Sequence, residues 1–223
     1  MSSGLPVLSL LETRVLGVLV EKERTVPDTY PLTLNALTSG CNQKSSRHPV
    51  LTASDEEVQG AIDRLKSQTL VVESSGGRVM RYAHNMGRVL QIPPQSVALI
   101  AVLFLRGPQT PGELRINSER LHRFGDLLSV QAFLEELAER PAGALVKELP
   151  RQPGARENRW VHRLSGDAPI DEPAATNVPS AETDAIGASE IATLRAEISE
   201  LRQQLDSLTE TVTQLRKELG LPS

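Results

Sequence analysis

Lys44 and Arg47 stand in a polar stretch, Asn42-Gln43-Lys44-Ser45-Ser46-Arg47-His48-Pro49, and no acidic residue occurs anywhere from Gly40 to Ser54. Cations of this kind pair with phosphates, while Asn42, Gln43, Ser45 and Ser46 can donate hydrogen bonds to phosphate oxygens or base edges. An ordinary solvated loop mixes both charge signs, so the segment reads either as a polyanion contact or as a plain solvated turn. A second set of cations lies around two other turns. Arg78 and Arg81 follow Ser74-Ser75-Gly76-Gly77, and Arg151, Arg156, Arg159 and Arg163 meet a single acid, Glu157. Arginines on a hairpin suit contact with DNA backbone or minor groove. The structural alternative is charge that keeps a hairpin edge soluble and unpaired. Arg64 and Lys66, on a helix between these segments, complete the cationic set.

Other residues capable of chemistry have plainer readings. Tyr82 and Trp160 could stack on bases, but strand alternation turns them toward the helices, so they are expected in the core. His84 and His162 follow on the same strands and are expected to be structural, and Arg159 and Arg163 should share the opposite face. Cys41 has Lys44, Arg47 and His48 nearby, which could lower a thiol pKa; a buried, inert cysteine is the expected state. The sequence shows no Walker loop, no dinucleotide-binding glycine pattern and no Cys/His spacing for zinc. Ser74-Ser75-Gly76-Gly77 follows a strand but opens no helix, so it is a hairpin turn. The expectation is a non-enzymatic protein with no cofactor and no metal.

The elements that must position these side chains are written twice. Arg81-Tyr82-Ala83-His84 recurs as Arg159-Trp160-Val161-His162, and Val58-Gln59-Gly60-Ala61-Ile62-Asp63-Arg64-Leu65 recurs as Val130-Gln131-Ala132-Phe133-Leu134-Glu135-Glu136-Leu137. Each half therefore carries an amphipathic helix followed by a hairpin, one supersecondary unit used twice. In the first half, Ser9 caps a helix to about Glu23 with Glu12 completing a capping box. A short helix passes through Leu34 and Leu37, and Ser54 with Glu57 caps the next, whose buried face is Val58, Ile62 and Leu65. Strands are expected at Leu70–Val72 and Val79–Ala83. In the second half, helices are expected at Gln95–Arg106, behind Thr110-Pro111, and at Leu128–Arg140, with strands at Leu145–Leu149 and Asn158–Arg163. The second hairpin loop is longer, because the offset between copies rises from 72 at the Val-Gln pattern to 78 at the Arg-aromatic pattern.

Three helices and a hairpin is the order of a winged helix, in which the third helix often enters the major groove and the hairpin touches the backbone. The third helices here carry acids where phosphate would lie. The first opens Asp55-Glu56-Glu57, and the second holds Glu135, Glu136 and Glu139 against Arg140. Acids at a helix N-terminus stabilise its dipole but repel phosphate. This weighs against a simple sequence-specific repressor.

The C-terminal segment has a different pattern. Residues 167–187 are rich in Pro, Ala, Thr and acids and read as a disordered linker. From residue 188 to 220 a heptad repeat places Ile191, Ile198, Leu205, Val212 and Leu219 at a, and Leu194, Leu201, Leu208 and Leu215 at d. Mostly β-branched a positions with Leu at d favour a parallel dimeric coiled coil. Glu190 and Glu197 at g face Arg195 and Arg202 at e of a parallel partner. The alternative is a helix that folds back on its own globular part.

Bulk composition agrees with a helix-rich protein having two small cores. The chain has 223 residues, 39% hydrophobic and 23% charged, but only 3% aromatic, so its cores rest on aliphatic side chains. The net charge of −4 conceals a division. Residues 1–92 hold ten cations and nine acids, residues 93–166 ten and eight, and residues 167–223 four and eleven. The acidic excess thus belongs to the C-terminal segment, and the first 166 residues are compatible with a polyanion partner. One cysteine excludes an intrachain disulfide, and no membrane span or leader pattern is evident. A cytoplasmic location is expected.

The segment Pro27-Asp28-Thr29-Tyr30-Pro31-Leu32-Thr33-Leu34-Asn35-Ala36-Leu37, followed by Cys41-Asn42-Gln43-Lys44-Ser45, resembles the signature of the YceH family. Leu105-Arg106-Gly107-Pro108-Gln109-Thr110-Pro111-Gly112-Glu113-Leu114-Arg115 is similar to that family too, and the resemblance covers about residues 8 to 166. It implies a bacterial protein of tandem winged-helix fold and brings no catalytic or ligand-binding residues with it.

Together these readings predict an α+β chain, mainly helical with small hairpins: a winged-helix domain at 1–92, a second at 93–166, the linker and the coiled-coil helix. The expected function is regulatory binding of double-stranded DNA as a homodimer, through Asn42, Gln43, Lys44, Ser45, Arg47, Arg64, Lys66, Arg78, Arg81, Arg151, Arg156 and Arg159. The alternative is a scaffold that binds a partner protein. No membrane partner is expected.

Overall fold

Side-chain caps start α-helices in both halves. In the computed structural model, which describes residues 6–74, 79–152 and 157–166, Ser9 Oγ accepts from the Glu12 amide at 3.3 Å while the Glu12 carboxylate accepts from the Ser9 amide at 2.6 Å. The same reciprocal box joins Ser54 to Glu57 and Thr110 to Glu113. Each box satisfies N–H groups that a helix start would otherwise leave unpaired.

The first half runs through α1 (Leu10–Thr25), a 3-10 turn (Pro27–Thr29), α2 (Leu34–Cys41), α3 (Asp55–Ser67), β1 (Val71–Ser74) and β2 (Arg81–His84). A short helix, α4 (Met86–Leu90), leads into the second half: α5 (Pro94–Arg106), α6 (Pro111–Asn117), α7 (Leu127–Ala138), β3 (Val146–Glu148) and β4 (Trp160–His162). The fold is thus helix-rich α+β with two antiparallel hairpins. The sequence does not announce the 3-10 turn or α4. Both are too short to show a hydrophobic period, and α4 stops where Gln91 takes a left-handed conformation at φ 51°.

The repeat holds at the level of register. Val71 pairs with His84 and Val146 with His162, so each hairpin sets its histidine opposite the same kind of residue. Each aromatic also bridges to the residue ahead of its half's second helix. Tyr82 and Leu32 exchange hydrogen bonds of 3.0 and 2.8 Å; Trp160 and Gln109 exchange bonds of 3.1 and 2.7 Å. Tyr82 and Trp160 are both buried, as alternation along the strands predicts.

One core serves both halves. α1 is buried on every side from Glu12 to Val20, and α5 from Ser96 to Leu105, which exceeds the stripe that periodicity alone predicts. A helix apolar around its circumference is an interior helix, and these two pack on each other. A Cβ on Gly17 would lie 2.9 Å from the Leu105 side chain, so the close approach of α1 and α5 depends on that glycine. The expected division between residues 92 and 93 falls at the α4–α5 connection, but side chains from both halves form one hydrophobic cluster. Further bonds tie the halves: Leu8 N–H to Leu164 O at 2.7 Å, and His48 N–H to Leu105 O at 2.7 Å.

Candidate nucleic-acid interface

The α2–α3 turn is held from inside the protein. Asn42 clamps its two ends together, donating from Nδ2 to Ala53 O and accepting at Oδ1 from Ala53 N–H, both at 2.7 Å. Arg14, fully buried on α1, donates to Cys41 O at 3.1 Å and Pro49 O at 2.6 Å. Arg47 corrects the sequence expectation. Its guanidinium has no solvent exposure and grips Glu21 with two bonds, 2.6 and 3.1 Å, while Nε donates to Gly40 O at 3.1 Å. Arg47 is therefore a structural cation that binds the turn to α1, and no surface for phosphate remains on it. The partner lies 26 residues upstream, beyond any local reading. Gln43 bonds Ser45 and accepts from Arg47, and Lys44 and Ser45 are exposed.

The protonation of Glu21 shows how firmly this grip acts. Burial pushes its carboxyl up, but the Arg47 hydrogen bonds and the Arg47 and Lys22 charges more than reverse this, leaving it below its ordinary value. Cys41, fully buried beneath the turn, goes the other way: burial pushes its thiol up to about 12, against weaker opposing pulls from Arg14 and Arg47. The basic neighbours that could have activated it in sequence do not overcome desolvation, so the inert, buried cysteine is what the structure holds.

The remaining first-half cations lean on acids or carbonyls. Arg64 donates from α3 to Glu12 on α1, and Lys66 bonds Glu73 on β1. Arg81 is exposed but caps Thr29 O at 3.2 Å and Pro31 O at 2.7 Å. In the second half, Arg159 reaches Glu113 at 3.3 Å and Pro108 O at 3.4 Å. Arg151 is exposed at the end of the second hairpin's first arm. Arg78 and Arg156 lie outside the described residues, as do the heptad positions from Ile191 to Leu219.

The cationic set gains three members around the α6–α7 turn that the sequence did not single out. Arg115 is exposed and donates to Gly125 O at 3.3 Å. Arg120 and Arg123 are exposed and have no acidic partner among the described residues. The signal that could have found them is the repeat itself, because this turn is the second-half counterpart of the α2–α3 turn. The acids sit as expected: Asp55, Glu56 and Glu57 open α3, and Glu135, Glu136 and Glu139 are exposed on or beside α7. Two large apolar side chains are also exposed near α7, Ile116 at 73% and Leu128 at 75%.

His162 is the least expected titratable group. It lies edge-on to Phe104, with ring centroids 4.8 Å apart, and burial pushes its imidazole down to about 4. Its counterpart His84 instead faces Glu23 at 3.1 Å. Both are structural in placement, as expected from their strands. Among the described residues no helix is long and apolar enough to cross a membrane.

Comparison with known proteins places this arrangement in a family. Residues 8–155 match the family model described as "Protein of unknown function, DUF480". A UPF0502 protein of Dechloromonas aromatica (strain RCB) is 54% identical over 218 residues, covering 98% of this chain and 100% of its own. UPF0502 proteins of Burkholderia multivorans and Burkholderia thailandensis are each 54% identical over 214 residues, covering 96% of this chain and 90% of theirs. Both cationic turns, the first hairpin and α1 through α7 fall within the matched span, and the chain belongs to the DUF480 family, whose relatives here are the bacterial UPF0502 proteins.

Proposed function

We propose that the protein is a non-enzymatic, DNA-binding regulator, built as tandem winged helices of the YceH type and acting in the cytoplasm as a homodimer through its heptad segment. The observation that carries this reading is the repetition of a cationic turn at the same place in both halves. Lys44 stands on the α2–α3 turn, and Arg115 and Arg123 stand around the α6–α7 turn, all exposed. Lys44 and Arg123 have no ion pair to an acid among the described residues, and exposed cations of that kind are the groups that release counterions from DNA. In this reading the turns and hairpins make the contacts, with Arg151 on the second hairpin. The third helices contribute little, since Arg64 and Lys66 are already paired and α3 and α7 present acids.

A second reading has its own observation. Exposed Ile116 and Leu128 beside the acidic surface of α7 suit a partner protein better than a phosphate backbone. Fluorescence anisotropy of the full chain with mixed duplex DNA, titrated at several salt concentrations, separates the two. Binding that weakens steeply with salt, about 0.9 in log–log slope per phosphate neutralised, supports the DNA reading. No binding at low salt removes it and leaves the scaffold. Light scattering of the full chain tests the homodimer, which a monomer at micromolar concentration would exclude.

A further inference from the structure

A groove of about 180 Å³ lies between the two halves, lined by side chains of both. The end of α1 supplies Glu21 and Lys22, and the α2–α3 turn supplies Gln43 and Ser46. Arg106 at the end of α5 and Arg120 on the α6–α7 turn close the other side. The two cationic turns therefore meet over one cavity.

The charge in this groove is one-sided. Lys22, Arg106 and Arg120 line it against a single acid, Glu21. That carboxylate is answered from behind by the two hydrogen bonds of Arg47 and from beside it by Lys22 at 3.5 Å, so Arg106 and Arg120 are the groove's cations without an acid of their own among the described residues. The C-terminal dipoles of α1 and α5 offset roughly half a charge each, which still leaves the groove cationic. Arg120 has no hydrogen bond or ion pair among the described residues, and Arg106 has only the Ser46 hydroxyl, which accepts from it at 2.7 Å. Ser46 keeps its own hydroxyl proton to donate. Cations and a free donor gathered in a concave site, with their own acid neutralised, form a receptor for an anion. The size limits the occupant: drug-sized sites span roughly 300–1,000 Å³, so this one takes a compact molecule.

We propose that the groove binds a small phosphorylated molecule through Lys22, Arg106 and Arg120. The occupant touches the first half and the second at once, so its binding is coupled to how the two turns are held. The site stands independently of DNA binding, because it is internal to one chain and its test needs no nucleic acid.

Inorganic pyrophosphate is the probe, titrated calorimetrically into the full-length chain at low salt. The expected result is saturable binding of one pyrophosphate per chain, weakened about tenfold or more by Arg120→Gln, a side chain exposed enough to change without disturbing the core. Arg88→Gln, on α4 and outside the groove, leaves the affinity unchanged. Saturating duplex DNA also leaves it unchanged if the ligand is a free molecule; displacement by duplex would assign the groove to backbone phosphate and overturn the proposal. Absence of saturable heat at millimolar pyrophosphate overturns it as well, as does equal weakening by the Arg88 and Arg120 substitutions.

Discussion

Arg47 and Glu21 form a two-bonded fork, Nη2 to Oε2 at 2.6 Å and Nη1 to Oε1 at 3.1 Å, that ties the α2–α3 turn to the first helix. The guanidinium has no exposure and the carboxylate little. The most phosphate-like segment of the sequence is therefore built around an internal ion pair, and its outward chemistry falls to Lys44.

Removing one member of such a pair leaves the other charge without its partner. Arg47→Ala is expected to cost about 3 kcal/mol, since breaking buried pairs costs about 3–5 kcal/mol and Glu21 retains some solvent. Arg47→Lys should recover only part of this, because an ammonium cannot reproduce the fork. Urea unfolding midpoints measure both. A variant as stable as wild type would show that the fork contributes nothing to the turn.

The depressed Glu21 carboxyl gives this pair a pH dependence of known sign. Its folded-state pKa lies below the ordinary 4.5, so its contribution is fully present above 4.5 and is lost as pH falls through the folded value. Glu21→Gln should flatten the acid limb of stability below 4.5, read from urea midpoints across that range.

His162 acts in a higher window. Its folded pKa is about 4 and its ordinary value 6.5, so the unfolded chain takes up the proton first. Stability should fall as pH drops from 6.5 toward 4, by on the order of 3 kcal/mol in total. Phe at this position keeps an aromatic ring against Phe104 and removes the proton. His162→Phe should therefore abolish the slope between 6.5 and 4.5, where Glu21 does not yet contribute. An unchanged slope would mean that His162 is not the group responsible.

Cys41 combines full burial with a thiol pushed up to about 12 from an ordinary 9.0. Iodoacetamide should leave the native chain unmodified and label it only after denaturation. Rapid labelling of native protein at neutral pH would contradict the buried, protonated thiol.

The cationic turns make a prediction that separates contact from structure. Lys44→Ala and Arg123→Ala should each lower the log–log salt slope of DNA binding by roughly 0.9 while leaving unfolding midpoints in place. Arg47→Ala should shift the midpoint instead. If neither surface substitution alters the slope, the DNA contacts lie elsewhere or the partner is a protein.

The local chemistry of the chain is legible in its residues alone. Ser9 with Glu12 and Ser54 with Glu57 mark helix starts, and the Tyr82 and Trp160 copies mark two hairpins with inward aromatics, because capping and strand alternation are short-range rules. The repeated element order and the α+β class follow from the same signals. Only the tertiary structure decided which cations face water. Arg47 finds Glu21 across 26 residues, Arg64 finds Glu12 across 52, and Lys22, Arg106 and Arg120 meet around one groove. Such pairings depend on how α1 packs against α3 and α5, and packing is a long-range property of apolar faces that no local spacing encodes. A basic residue in sequence is an equal candidate for phosphate or for an internal carboxylate until the core places the acid beside it.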